Sequence, residues 1–153
     1  MCVAAATGTV LTKMDDDDFY AAEYLSDQLF ALDYSGADLV GKQAHYMHLA
    51  NLNATMLRFP EWEHRYTRTV MGPTIMGSAD VFRSSPFAAV GSGEDTRFLR
   101  AVVADGGVVY ASDRFNYCQH RAFEGHTWKI SDAELLGSGT LKFFGNYRDE
   151  VSV

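Results

Sequence analysis

The sequence predicts an α/β protein in which helices flank a mixed sheet. A short apolar run, Thr9-Val10-Leu11, leads into four consecutive aspartates, Asp15 to Asp18, and apolar residues at helical spacing follow them. Farther along the chain a helix is again followed by a strand, as mixed α/β sheets require. Because ligands of open α/β sheets bind at the carboxyl ends of the strands, the aspartates mark the candidate site.

The first helix is predicted from about Tyr20 to the turn at Ser35-Gly36. Its apolar side chains recur at three-to-five-residue spacing, at Tyr20, Tyr24, Leu25, Leu29 and Leu32. A short strand at 37–42 is expected next, and it leads into the apolar segment 46–49. Between residues 51 and 70, where Pro60 is a breaker, one or two strands and a loop are expected.

The second half of the chain predicts a short helix within 79–90 and a longer helix that begins near Glu94. Phe98, Leu99, Val102 and Val103 give the longer helix an apolar face, and Gly106-Gly107 end it. A strand at 108–111 follows. The tail from Ser131 onward is expected to be helical or irregular.

Composition limits the class of protein. With 153 residues, of which 47% are hydrophobic, the chain fits one domain that spans residues 1–153. A net charge of -7 without clustered Lys or Arg argues against a nucleic-acid binder. Cys2 and Cys118 form no disulfide framework, and neither a signal peptide nor a membrane span is recognisable. The sequence therefore predicts a cytoplasmic protein.

The four aspartates have two interpretations. Carboxylates about 4 Å apart repel each other by roughly 1 kcal/mol in water, and a divalent cation relieves this repulsion. Mn²⁺ or Mg²⁺ is commonly held by one or two carboxylates together with phosphate and water, so Asp15 and Asp17 are suitable. The alternative is capping of the following helix, with Asp18 at the N-cap and the other aspartates near the helix dipole. Capping explains one or two aspartates, and we favour a metal or ligand site.

Glu94 and Asp95 form a second acidic site, because the segment Gly91-Ser92-Gly93 delivers them to the start of the second long helix. One carboxylate could remove a proton from an acceptor hydroxyl as a general base. The alternative is a capping box with Ser92 as the N-cap and Asp95 three residues later.

Histidines near the end of the chain offer further ligands. His126 could complete the cation site, because neutral imidazole is a common metal ligand. A structural zinc site of Cys118, His120 and His126 lacks a convincing fourth ligand. An ordinary surface histidine is the alternative.

Four segments in order resemble family 2-like glycosyltransferases of the GT-A fold: KMDDDDFY at 13–20, ADLVGK at 37–42, GEDT at 93–96 and HTW at 126–128. The resemblance runs from about residue 4 to residue 128 and implies a Rossmann-like sheet. It also implies that a nucleotide-sugar is the donor and that a glycan or another hydroxyl compound is the acceptor.

The resemblance assigns roles to individual residues. Asp15 and Asp17 would hold Mn²⁺ or Mg²⁺ on the donor diphosphate, with Asp16 and Asp18 beside them in the donor site. Asp95, with Glu94 next to it, would be the base of an inverting transfer. His126 would be an additional metal or phosphate contact.

Members of this family carry a nucleotide-binding βαβ region ahead of the acidic motif, whereas here the motif begins after fourteen residues. The resemblance therefore implies that most of the nucleotide pocket is missing and that residues 2–7 are the end of the preceding helix. An exposed sheet edge would favour self-association or pairing with a missing N-terminal half. The alternative function is a noncatalytic remnant that binds carbohydrate or a protein partner.

Overall fold

The computed structural model describes residues 2–85, 87, 93–121 and 132–153. Its helices are α1 (Cys2–Ala5), α2 (Tyr24–Ser35), α3 (Ala79–Ser84), α4 (Glu94–Ala104), α5 (Asp132–Leu136) and α6 (Arg148–Val151). Its strands are β1 (Val10–Thr12), β2 (Phe19–Tyr20), β3 (Leu39–Gly41), β4 (His45–Leu49), β5 (Ala54–Arg58), β6 (Arg65–Thr67), β7 (Met76–Ser78), β8 (Val109–Ala111), β9 (Tyr117–Arg121) and β10 (Thr140–Phe144). None of the helices in these ranges has the length and apolar character that crossing a membrane requires.

The strands form two five-stranded mixed sheets, so the predicted mixed α/β class is confirmed. The first sheet has the order β1-β7-β3-β8-β6, and the second has the order β10-β5-β4-β9-β2. The β3–β8 and β4–β9 pairs are parallel, and the other pairs are antiparallel. The predicted segments 37–42 and 46–49 thus lie in different sheets. Strand β1, which precedes the aspartates, lies at an edge of the first sheet.

Helices cover both faces of the first sheet. Successive strand residues point to opposite faces, so the contacts of two neighbouring residues show which helix lies on which face. Leu39 belongs to the buried apolar cluster that contains Phe82 of α3 and Phe98 of α4. Its neighbour Val40 belongs to the cluster that contains Ala31 of α2. Helix α2 therefore packs on one face of the sheet, and α3 and α4 pack on the other.

The second sheet also has two apolar clusters. One contains Leu57, Cys118 and Val151 of α6, and the other contains Met56 and Leu135 of α5. These clusters bring the end of the chain against β4, β5 and β9. The two short C-terminal helices thereby stabilise the sheet that receives the aspartate-containing segment.

The elements with clear periodicity are confirmed. Helix α2 ends at Ser35, and Gly36 adopts the left-handed conformation with φ of 62°. Helix α4 and strand β8 lie on either side of Gly106-Gly107 as predicted. Strands β5 and β6 fall within 51–70, and α3 falls within 79–90. The helix expected at 2–7 is α1.

Two predictions about secondary structure are wrong. Helix α2 begins at Tyr24 and not near Tyr20, because Phe19 and Tyr20 form β2 and pair with Cys118 and Tyr117 of β9. The tail is not only helical or irregular, because 140–144 form β10 and pair with β5. Both strands depend on partners that are distant in the sequence.

Candidate functional site

Residues 13–18, here called the aspartate loop, connect the edge of the first sheet to the edge of the second. The loop leaves β1 and enters β2. The backbone N–H of Lys13 donates to the carbonyl oxygen of Ile75 at 2.8 Å, which holds the start of the loop against the first sheet. The four aspartates therefore follow the carboxyl end of a strand, as predicted.

Asp18 fastens the other end of the loop to the second sheet. Its Oδ2 accepts a hydrogen bond from the Tyr117 hydroxyl at 2.7 Å, and its Oδ1 accepts one from the His120 backbone N–H at 3.0 Å. Burial raises the pKa of Asp18 to about 6, although these two hydrogen bonds oppose the shift. The capping interpretation of Asp18 is wrong, because the N-cap of α2 is Glu23, five residues farther on.

Lys13 joins the two acidic sites. Its Nζ lies 2.8 Å from Oδ1 of Asp15 and 3.4 Å from Oδ2 of Asp95. Burial alone lowers the pKa of Lys13, but the hydrogen bond to Asp15 and the charge of Asp95 outweigh burial and raise it. The ammonium is therefore charged at neutral pH and neutralises part of the charge of both carboxylates.

Asp95 is half-buried in the first turn of α4, and one of its oxygens is buried without a hydrogen-bond partner among the described residues. Its Oδ1 is buried and makes no hydrogen bond with any described residue, whereas Oδ2 contacts Lys13. Burial raises the pKa of Asp95, and the Lys13 charge opposes the shift. The capping-box interpretation is wrong because Gly93, not Ser92, is at the N-cap. Ser92 itself lies outside the described residues.

Gly72 allows Asp95 to occupy this position. A Cβ atom on Gly72 would lie only 2.5 Å from Cγ of Asp95 and closer still to Oδ2. A side chain at residue 72 would therefore displace the carboxylate. The close approach explains the glycine, whose role the sequence did not indicate.

The Tyr20 hydroxyl links the aspartate loop to Pro73. It accepts a hydrogen bond from the Asp15 backbone N–H at 2.9 Å and donates one to the Pro73 carbonyl at 2.9 Å. Pro73 follows Gly72, so the same short turn contacts the aspartate loop and Asp95. Sequence reasoning placed Tyr20 on a helix face and missed this role.

The middle of the aspartate loop faces solvent, since Asp16 and Asp17 are exposed. Among the described residues, no three or more His, Cys, Asp and Glu side chains gather as a metal site. Magnesium-type ions commonly use only one or two carboxylates when a substrate phosphate supplies the rest. Asp15 and Asp17 fit that requirement by oxygen chemistry and accessibility, and their metal role stays a prediction.

An apolar pocket of about 640 Å³ opens beside the two acidic sites. Lys13, Met14 and Glu94 line one part of it. The remainder is formed mainly by apolar residues of α1, β1 and the α3 region, namely Val3, Ala6, Leu11, Thr12, Phe82 and Phe87. Glu94, which the sequence pairs with Asp95 in the second acidic site, therefore lines the same cavity as Lys13.

The histidine predictions fall mostly outside this site. His126 lies outside the described residues, and so does the segment HTW. The Cys118 side chain is fully buried, and burial raises the pKa of its thiol. The His120 ring stacks on the His48 ring, with their centroids 5.8 Å apart. The structure thus brings Asp15 and Asp95 together through Lys13, and it leaves Asp16 and Asp17 in solvent.

Comparison with known proteins supports the fold. No protein-family model and no curated protein matches the chain. Among solved structures, 13 chains match. One is S. aureus TarS 1–349 in complex with UDP-GlcNAc, with a TM-score of 0.61 and 14% sequence identity, over 89% of this chain and 42% of TarS 1–349. The chain therefore has a glycosyltransferase-like fold and spans less than half of that structure.

Proposed function

We propose that this chain is the acceptor-side part of a metal-assisted glycosyltransferase of the family 2 type. It would transfer a sugar from a nucleotide-sugar to a hydroxyl group of a glycan, with inversion at the anomeric carbon. The observation that carries the proposal is the paired arrangement of the acids. Asp15 of the aspartate loop and Asp95 of α4 are separated by 80 positions in the sequence, yet both contact the Lys13 ammonium.

The aspartate loop is the donor side of the proposed site. Asp15 and Asp17 would hold Mn²⁺ or Mg²⁺, which would offset the negative charge that develops on the leaving diphosphate. Asp16 is exposed beside them, as a donor-site residue must be. Asp18 would act on the donor indirectly, since both of its oxygens already accept hydrogen bonds from β9. The glycosyltransferase-like fold and the UDP-GlcNAc complex of TarS support a nucleotide-sugar as the donor.

Asp95 is the proposed base on the acceptor side. Its Oδ1, which is buried and unpaired among the described residues, would take the proton of the acceptor hydroxyl once the acceptor reaches it, while the hydroxyl oxygen forms a bond to the anomeric carbon. The bond from that carbon to the diphosphate oxygen would break, and the electron pair would leave with the diphosphate. Burial supports this role because it raises the pKa of Asp95 and makes its carboxylate a better proton acceptor.

The test begins with calorimetric titration of the chain with Mn²⁺, with and without UDP and other nucleoside diphosphates. Asp17→Asn should lower Mn²⁺ affinity sharply but change the free energy of unfolding by no more than about 0.5 kcal/mol, because Asp17 is exposed. Asp33→Asn is the matched control, since Asp33 is also exposed and lies on α2. It should leave binding unchanged.

Transfer from UDP-GlcNAc to a panel of glycans tests the acceptor side. Asp95→Asn should retain Mn²⁺ and nucleotide binding but lose about 10²–10⁴-fold in transfer, because only the proton acceptor is removed. Mn²⁺ binding that is equal in the folded wild-type and Asp17→Asn chains, together with absence of transfer, would refute the proposal. Equal losses of binding in Asp17→Asn and Asp33→Asn would refute the assignment of Asp17.

A noncatalytic carbohydrate-binding role is the second candidate, and exposed aromatic residues favour it. Phe30, Tyr34 and Tyr66 are 69%, 48% and 60% exposed. Tyr34 and Tyr66 each pack edge-on against Tyr110, which holds the aromatic surface in place. Glycan binding that needs no metal and is lost in Tyr66→Ala, in a chain without transfer activity, would favour this candidate.

A further inference from the structure

A closed ring of contacts connects the aspartate loop to Asp95. Lys13 contacts both Asp15 and Asp95 through its ammonium. The Asp15 backbone donates to the Tyr20 hydroxyl, which donates to the Pro73 carbonyl. Gly72, the residue before Pro73, packs directly against the Asp95 carboxylate. Because Asp95 contacts Lys13, the ring of contacts is closed.

The ring fixes the orientation of Asp95. Lys13 holds Oδ2, and the turn at Gly72 closes the same side of the carboxylate. Oδ1 is left as the buried oxygen without a hydrogen bond among the described residues. A carboxylate that rotated freely could turn either oxygen toward Lys13, whereas here Oδ2 is held there and Oδ1 stays buried.

The Lys13 ion pairs lie in partly buried surroundings. The side chains of Lys13 and Asp95 are 23% and 26% exposed, and Asp15 is 42% exposed. Fully exposed ion pairs contribute little, because solvent screens the charges and both side chains lose conformational freedom. Two carboxylates contact the Lys13 ammonium, and two partners restrict the side chain more than one would. It is therefore suited to fix a second side chain.

We propose that Lys13 is a positioning residue that orients the Asp95 carboxylate for the acceptor and links its position to the occupancy of the aspartate loop. The link arises because Asp15 and Asp95 share one ammonium, so a ligand that engages Asp15 changes the hold on Asp95. This inference rests on the proposed function. It adds a role for a residue that neither holds the proposed metal nor takes the proton.

The test measures steady-state transfer by Lys13→Met and Lys13→Arg, with Lys142→Met as the matched control. Lys142 is exposed on β10, in the sheet that does not contain β1. Lys13→Met should lower kcat by about 10²-fold, as misplacement of a catalytic group by about 1 Å does. Lys13→Arg should recover most of that loss, because a guanidinium can also bridge two carboxylates. Lys142→Met should transfer at the wild-type rate.

A double variant shows whether Lys13 acts through Asp95. In an Asp95→Asn background, Lys13→Met should have no further effect on kcat, because the group that it positions is absent. Multiplicative losses in the double variant, or full activity of folded Lys13→Met, would overturn the inference while leaving the proposed function intact. A wild-type chain without transfer, whose Mn²⁺ binding equals that of Asp17→Asn, would instead refute the proposed function, and this inference with it.

Discussion

Gly72→Ala tests the position of Asp95 without changing any charge. The new methyl carbon would lie 2.5 Å from Cγ of Asp95, whereas carbon atoms in contact are about 3.5–4.0 Å apart. The carboxylate must therefore move by about 1 Å or more. A displacement of that size at a catalytic group can lower the rate about 10²-fold. We expect transfer to fall by about that factor and Mn²⁺ binding at the aspartate loop to persist.

The assay compares kcat for transfer with the free energy of unfolding in urea. Gly36→Ala is the control, because its added methyl group meets no atom within 4 Å, and only the left-handed φ of 62° opposes it. That strain costs about 1–2 kcal/mol and leaves the site untouched. Transfer should therefore be normal in folded Gly36→Ala. A folded Gly72→Ala chain that transfers at the wild-type rate would refute the placement of the base at Asp95.

Two further predictions concern the frame of the site. Tyr20→Phe leaves the Asp15 N–H and the Pro73 carbonyl without the hydroxyl, so the free energy of unfolding should fall by about 1–3 kcal/mol in urea titration; an unchanged value would contradict the closed ring. His45 is fully buried, and burial lowers its pKa from 6.5 to about 4. The folded chain therefore binds fewer protons than the unfolded chain, and the contribution of His45 to stability is lost as pH falls from about 6.5 to 4. Asp18 acts in the opposite direction in the same range, because its raised pKa makes the folded chain bind more protons. His45→Gln retains Asp18, so the wild-type advantage over His45→Gln should shrink by about 2 kcal/mol between pH 7.5 and 5; parallel profiles would contradict the assignment.

The spacing of apolar residues in the sequence is sufficient to predict a long helix that buries one of its faces. Helix α4 is an example, since Phe98, Leu99 and Val102 lie on its buried face, and their spacing is visible in the sequence. Gly36 likewise marks the end of α2 by its left-handed conformation. These features are set within one or two helical turns. The sequence therefore reveals them without knowledge of the fold.

Strands that depend on distant partners could not be predicted in this way. Strand β2 has only two residues, Phe19 and Tyr20, and pairing with β9 almost 100 residues later decides its conformation. Strand β10 alternates polar and apolar residues only over Thr140 to Phe143, and it is mostly exposed, so this short pattern does not reveal its pairing with β5. Their registers follow from tertiary contacts.

The sequence predicts the acidic residues of the candidate site but not the ion pairs through which Lys13 connects them. Asp15 and Asp95 were both recognised as chemically suitable, but the ion-pair partner of Asp95, Lys13, is 82 residues away in the sequence. Lys13 stands beside the aspartates, and this adjacency is the only sequence signal for an internal counter-ion. Its second contact appears only when α4 packs near the end of β1.

The four aspartates of the loop have different contacts, and helix capping does not account for them. Asp18 points inward and is held by Tyr117 and the His120 backbone, while Asp15 is neutralised by Lys13. Asp16 and Asp17 remain in solvent, where their charges are neither buried nor paired with a described cation. Two of the four aspartates thus stabilise the loop in place. Lys13 holds Oδ1 of Asp15 at 2.8 Å, so under the proposed function a cation on that oxygen would compete with the ammonium that also contacts Asp95.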